Sequence, residues 1–256
     1  MIKDETTRQV PILCYHRVHR DDDAEMPSVV AGRYCGHVTC SVFRRHMTML
    51  AKRGFTVVTH QTVMKWLYGE AVLPSGPIAC IDFDDNRLNV FENAHPVMNE
   101  YGFKGTVFVI SRLADGDLPL MQSYPWMNWE HLGKLSEDGW TIGAHTASHL
   151  KLAQMLKGAD GIDGSKRIRD ELINCNEAIK RELGFKPQHF AYPSGDWSEE
   201  VESYVVRYYR TARDWRGDDQ FKLNSFSTNP YRLIGINTSM NMTDAMLSRL
   251  LEAAAF

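Results

Sequence analysis

Two clusters in this chain have the residue types and spacing to do chemistry. Asp82-Phe83-Asp84-Asp85 closes one apolar run, and His145-Thr146-Ala147-Ser148-His149 follows another, Trp140-Thr141-Ile142. Imidazoles at positions i and i+4 project from one side of a helical turn, so two neutral nitrogens can reach one divalent ion. If residues 145–149 form such a turn, both rings project from the same side. In a chain with 10 histidines one such pair is weak evidence, and two buried, hydrogen-bonded imidazoles are the bland alternative. The acidic cluster shifts the balance, because two His and one carboxylate form a metal site with open positions.

The elements that must position these residues alternate. Short apolar runs at Val10–Tyr15, Phe55–Val58, Ile78–Ile81, Thr106–Ile110, Trp140–Ile142, Gln188–Tyr192, Arg210–Arg213 and 232–236 read as strands. Helical spacing appears between them. Ser41 is positioned to cap a helix with Phe43, Met47 and Leu50 on one face, ending at Gly54. Further helices are expected at 62–68, 90–100, 129–139, 168–183 with Gly184 just beyond, 199–208 and 244–255. Strands alternating with helices predict parallel strands joined by crossovers. His16, Asp84 with Asp85, His145 with His149, and Ser194 all fall at strand C-termini, the rim where a barrel of such units builds its site. The Asp21-Asp22-Asp23 run reads as a solvated loop. Gly158 to Ser165 reads as a turn, since it lacks the alternating acids and final Glu of a calcium loop.

The 256 residues suit a single domain spanning 1–256, and 43% hydrophobic content supplies a sizeable core. A net charge of −3 without a long basic run argues against a nucleic-acid partner. No apolar stretch reaches the roughly 18 residues of a membrane helix. The polar start, Met1 to Val10, has no signal-like apolar segment, which points to a cytoplasmic protein. Cys14, Cys35, Cys40, Cys80 and Cys175 are odd in number and fit free thiols, with Cys14 and Cys80 in the core.

Several motifs resemble the polysaccharide deacetylase family, the carbohydrate esterases with a nodulation-factor deacetylase homology domain. They are Tyr15-His16-Arg17-Val18, Phe83-Asp84-Asp85, Gly105-Thr106-Val107-Phe108, Met127-Asn128-Trp129, His145-Thr146-x-x-His149 and Phe190-Ala191-Tyr192-Pro193-Ser194-Gly195, across roughly residues 10–240. The resemblance implies an α/β fold, an irregular (β/α) barrel of about seven parallel strands. It implies metal ligation by Asp85, His145 and His149, Asp84 as general base, and the Ser194 backbone N–H as an oxyanion donor. The chemistry agrees: amide hydrolysis needs water activated near neutral pH and charge placed where the oxyanion develops. Thr146 reads as a support, since nothing nearby would activate it as a nucleophile.

The chain also departs from the family pattern. Asn86 stands where Gly is common, and Ala191 where many members carry an Arg that orients the base. Arg213 is the candidate replacement for that Arg. The family's late His, which protonates the leaving amine, has no counterpart, because no histidine follows His189. His16 is the candidate acid. Tyr192, Arg213 and Trp215 are the expected substrate contacts. These features predict a metal-dependent hydrolase removing an N-acyl group, most simply acetyl, from an amino sugar in a glycan or glycan precursor. The expected ion is zinc, with nickel, cobalt, manganese or iron as alternatives. A binding-only relative and a hydrolase of another non-peptide C–N bond are the competing expectations.

Overall fold

The computed structural model describes residues 5–23, 36–118, 125–156, 163–216 and 222–255. Its strands are β1 (Gln9–Val10), β2 (Ile12–Tyr15), β3 (Arg17–His19), β4 (His37–Thr39), β5 (Thr56–Val58), β6 (Ile78–Asp84), β7 (Thr106–Val109), β8 (Thr141–Ala144), β9 (His189–Ala191), β10 (Thr211–Arg216), β11 (Asn224–Ser225) and β12 (Leu233–Asn237). The helices are α1 (Cys40–Lys52), α2 (His60–Leu67), α3 (His95–Glu100), α4 (Ser111–Ala114), α5 (Trp129–Glu137), α6 (Leu152–Leu156), α7 (Gly164–Leu183), α8 (Glu199–Val205) and α9 (Asp244–Ala254).

Seven strands close into a parallel barrel in the order β6, β7, β8, β9, β10, β12, β2, with β2 pairing back to β6. This is the irregular (β/α) barrel expected from the sequence. One irregularity sits beside β6. There β5 pairs with Ile78–Cys80 and β7 with Asp82–Asp84. Another is the narrow β8–β9 seam, paired at Ala144 and Phe190.

Strand periodicity divides the chemistry from the core. Every residue of β6 is buried, as expected for a strand covered on both faces. Ala79, Ile81 and Phe83 face outward into the main core with Leu13, Tyr15, Val107, Val109 and Ile142, under α1, α3, α5 and α9. Cys80, Asp82 and Asp84 alternate with them and face the barrel interior. A second apolar cluster joins Ala144, Phe190, Tyr192 and Ala212 to α7 and α8. On α7, Ile168, Leu172, Cys175 and Ile179 form the buried stripe, and Gly184 ends the helix in the left-handed conformation at φ 80°. The interior itself is narrow. A Cβ on Gly143 would sit 2.7 Å from the Phe108 ring, and one on Gly235 would sit 2.8 Å from Arg213 Cδ. Glycine at both positions leaves room for these two large side chains.

Some expectations need correction. Thr39, not Ser41, caps α1, accepting a hydrogen bond from the Val42 N–H, and Ser41 lies inside the helix. Residues 145–149 form no helical turn, since Thr146 and His149 take positive φ values of 66° and 59°. The helix expected at 90–100 begins as a π turn at Val90–Ala94. Two short strands not expected from the sequence, β3 and β4, pair in parallel on either side of the Asp21–Asp23 run. Cys35 and most of the Gly158–Ser165 turn lie outside the described residues, whereas Cys14, Cys40, Cys80 and Cys175 are free thiols.

Candidate metal centre

The site starts where β6 ends. Asp84 keeps the strand's inward direction. Asp85 then turns at φ 70° and Asn86 at φ 37°, left-handed values that Asp and Asn tolerate better than most residues. Asn86 is fully buried. Its Oδ1 accepts from Ile110 N at 3.0 Å and its Nδ2 donates to the Met127 carbonyl at 3.1 Å. Its presence where a glycine is common therefore has a physical reason. It keeps the positive φ and adds two bonds that hold the turn to its neighbours.

His145 follows β8 directly, and its N–H donates to Val109 O at 2.8 Å. Its Nδ1 pairs with the Ala191 carbonyl at 2.8 Å, which places the proton on Nδ1 and leaves the Nε2 lone pair exposed to the site. His149 is brought alongside by the left-handed Thr146, whose Oγ1 accepts from the His149 N–H at 2.9 Å. Thr146 is thus a support, as its sequence context implied. The two imidazoles lie 4.8 Å apart, centroid to centroid.

Both Nε2 atoms face one oxygen. Asp85 Oδ1 is 3.6 Å from His145 Nε2 and 3.5 Å from His149 Nε2. That oxygen is buried and has no hydrogen-bond partner. The separations are too long for good hydrogen bonds. They match ligand atoms around one tetrahedral ion, which bonds near 2.1 Å hold about 3.4 Å apart. The three residues therefore fit a divalent cation. Burial lowers the pKa of both histidines, that of His149 to about 4, so both are neutral ligands at pH 7. Burial opposes ionisation of Asp85, but His16, His149, Arg87 and His145 prevail and hold its carboxyl well below the usual range.

Asp84 is held differently. Arg213 Nη2 donates to its Oδ1, and its Oδ2 lies 3.8 Å from His16 Nε2 and 3.5 Å from the Cys14 thiol that donates to it. Burial works to raise the Asp84 pKa; Arg213, helped by His145 and His16, overrides it and keeps the carboxylate ionised. Arg213 is itself fully buried, with Nε 2.9 Å from Asp82 Oδ2 and its guanidinium 5.0 Å from the Phe108 ring centroid. This placement corrects its assignment as a substrate contact. Arg213 reaches the base from β10, whereas Ala191 on the neighbouring β9 offers no charge.

Around the rim, Ser194 and Gly195 both take positive φ, 56° and 64°. Trp215 is half-buried, and its ring meets His16 edge-on at 6.0 Å. Tyr192 is not exposed to a substrate. Its side chain packs in the second core cluster and its hydroxyl donates to the Tyr231 carbonyl at 3.2 Å, so the expected contact is replaced by a packing role. Sequence reasoning missed Arg87, which pairs with Asp85 Oδ2 at 3.2 Å while stacking 3.7 Å from the Trp126 ring centroid. It also missed Asp82 and His60, paired at 2.8 Å beneath Arg213. Strict alternation along Cys80, Asp82 and Asp84 was the available signal for Asp82.

A closed parallel barrel with a two-histidine, one-carboxylate cluster at its C-terminal rim is the class that fold and geometry define. The family model for polysaccharide deacetylase matches residues 73–211, and the chain belongs to that family. It is 25% identical over 206 residues to the putative polysaccharide deacetylase YxkH of Bacillus subtilis, covering 78% of this chain and 62% of that protein. It is 23% identical over 168 residues to the peptidoglycan-N-acetylglucosamine deacetylase of Bacillus cereus, covering 61% of this chain and 54% of that protein. The chain thus spans less than two thirds of either curated relative's length. Among solved structures, the deacetylase PplD of Streptococcus pyogenes superposes with a TM-score of 0.78 at 20% identity, over 95% of this chain and 98% of that one. A de-N-acetylase from Aggregatibacter actinomycetemcomitans gives 0.79 at 14% identity, over 94% and 99%. At these identities the two structures establish the fold.

Proposed function

We propose that this chain is a metal-dependent hydrolase that removes an N-acetyl group from an amino sugar of a glycan or glycan precursor. The observation that carries the reading is the buried, unpartnered Asp85 Oδ1 facing two imidazole Nε2 atoms at 3.5 and 3.6 Å. Asp85, His145 and His149 would hold the ion, with zinc the best match to a borderline N/O donor set. Such an ion acidifies a water and polarises the carbonyl to be attacked.

The chain's own residues do the rest. Asp84 Oδ2 takes the proton of the attacking water, since Oδ1 is engaged by Arg213 and the carboxylate is ionised at neutral pH. The Ser194 N–H, on its left-handed turn, donates to the developing oxyanion. His16 Nε2, near Asp84 Oδ2, protonates the leaving nitrogen. The loop Gly36 makes room for this ring, as a Cβ there would collide with His16 Nδ1. Trp215 packs edge-on beside it. The departures that would favour a binding-only relative are each compensated. Asn86 holds the turn, Arg213 orients the base, and His16 stands in for the late acid.

The amino-sugar substrate draws support from the activity named for the Bacillus cereus relative. The first assay takes soluble N-acetyl sugars and the second takes polymer. No helix among the described residues is long and apolar enough to cross a membrane. Acetate release from N-acetylglucosamine oligomers and from soluble N-acetyl sugars tests the reading. Asp84→Asn should retain the metal and lose roughly 100- to 10,000-fold in turnover. Metal-stripped protein that deacetylates at full rate would remove the proposal.

A further inference from the structure

The barrel wall away from the metal ligands carries buried polar atoms that the mechanism does not use. Arg213 on β10, Gly235 on β12 and Cys14 on β2 all face inward, as their contacts with Asp84 and with one another show. Two residues further along each strand the same face carries Trp215, Asn237 and His16. The register agrees, with Trp215 level with Gly235 and Asn237 level with Cys14. These three side chains therefore line successive strands above the Asp84–Arg213 pair. Asn237 occupies the inward C-terminal end of β12.

Two atoms in this wall are buried and unpartnered, Trp215 Nε1 and Asn237 Oδ1. One is a donor and the other an acceptor. Buried polar groups in native proteins nearly always have partners, so a donor and an acceptor left unpaired on the inward face of the rim mark where a ligand's polar groups belong. Hydroxyls suit either atom, since a hydroxyl accepts from an N–H and donates to a carbonyl oxygen. A carboxylate or phosphate would face the Asn237 oxygen with like charge.

We propose that Asn237 and Trp215 form a subsite for ring hydroxyls of the sugar that carries the scissile amide. Asn237 is the specificity-determining residue of this subsite, and the inference rests on the amino-sugar reading above. It separates recognition from chemistry on the rim. The Asp85 side holds the reacting amide, and the β10–β12 side reads the polyol next to it. A site built around a hydroxyl discriminates against acyl compounds that lack one, because its own polar atoms are then left unpaired.

The test uses the zinc-loaded protein and two probes, an N-acetylglucosamine pentamer and para-nitrophenyl acetate, which has no hydroxyl. Asn237→Ala should lower kcat/KM for the pentamer about 10- to 100-fold, and at least tenfold more than for the ester. Trp215→Phe, which keeps the ring and loses Nε1, should show the same bias. Calorimetric binding of the pentamer in an Asp84→Asn background separates this proposal from the enzymatic one. Pentamer binding that Asn237→Ala weakens upholds the subsite even if the wild type releases no acetate. Equal losses on both probes, or unchanged pentamer binding in Asn237→Ala and Trp215→Phe, would overturn it. Asn237→Ser carries the same test should the alanine variant fail to fold.

Discussion

Three groups of metal-capable side chains meet among the described residues, and they differ in how their donor atoms are engaged. At the rim, Asp85, His145 and His149 face one another across 3.5–3.6 Å gaps around an unpartnered oxygen. One layer deeper, His60, Cys80 and Asp82 also lie close enough to share an ion. There, however, Asp82 Oδ2 is already taken by His60 Nε2 at 2.8 Å and Arg213 Nε at 2.9 Å. A cation in the lower group would sit beside a guanidinium. The adjoining set of Cys14, His16 and Asp84 meets the same objection, because Arg213 binds Asp84. Proximity of donors is thus insufficient, and the oxygen left unpaired decides. Arg87 pairs with Asp85 Oδ2 and leaves Oδ1 to the two imidazoles, whereas Arg213 binds the same oxygen of Asp82 that His60 faces.

The largest effect expected from breaking this contrast is at Arg213. Arg213→Leu leaves Asp82 and Asp84 buried without their shared cation, and one-sided removal of a buried pair costs about 3–5 kcal/mol. Thermal unfolding should drop by roughly 10 °C, and turnover should fall because Asp84 loses its orienting contact. An unchanged melting temperature would mean that the lower group is not held by this charge.

A pH titration of metal-free protein sharpens the upper half of the comparison. Burial and the neighbouring His145 lower the His149 pKa from 6.5 to about 4. Between those values the unfolded chain binds more protons than the folded one, so stability should fall as pH drops from 6.5 to 4. The loss from His149 alone is at most about 3 kcal/mol. Asp84 and Asp85, both depressed, add a further loss below their ordinary range near pH 4. Bound zinc should move this unfolding to lower pH and then be released. Stability that is flat from pH 7 to 4 would contradict the buried, neutral histidines.

The smallest effect is expected one bond away from the ligands. Thr146→Val removes the oxygen that accepts from the His149 N–H and should weaken metal affinity about 10- to 100-fold. Unaltered affinity would show that the loop holds His149 without it.

Much of this arrangement was legible in the sequence. Apolar runs and helical spacing marked the eight strands of the main sheet and most helices, because strands such as β2, β6 and β7 are buried on both faces and each long helix has a single apolar stripe. The ligands were also legible, from residue type and their position at strand ends. The reason given for the histidine spacing was wrong. Residues i and i+4 meet here through two left-handed residues and a threonine cap, and positive φ at Thr146 and His149 leaves no mark in an unaligned sequence. Arg213 was read as a candidate partner of the base, but its burial depends on Gly235 on the neighbouring β12. Tyr192 was misread because a motif tyrosine at a strand end looks the same whether it faces the groove or the helices. The pairing of Asp82 with His60 went unnoticed because it joins β6 to α2, a contact set by the closed barrel.

The central claim is tested most directly by counting bound metal. Wild-type protein loaded with zinc and desalted should carry one ion per chain, and His60→Gln should carry the same. His145→Ala, His149→Ala and Asp85→Ala should each lose it, together with acetate release. Two ions per chain, or one retained after His145→Ala but lost after His60→Gln, would place the metal in the lower group and contradict the account.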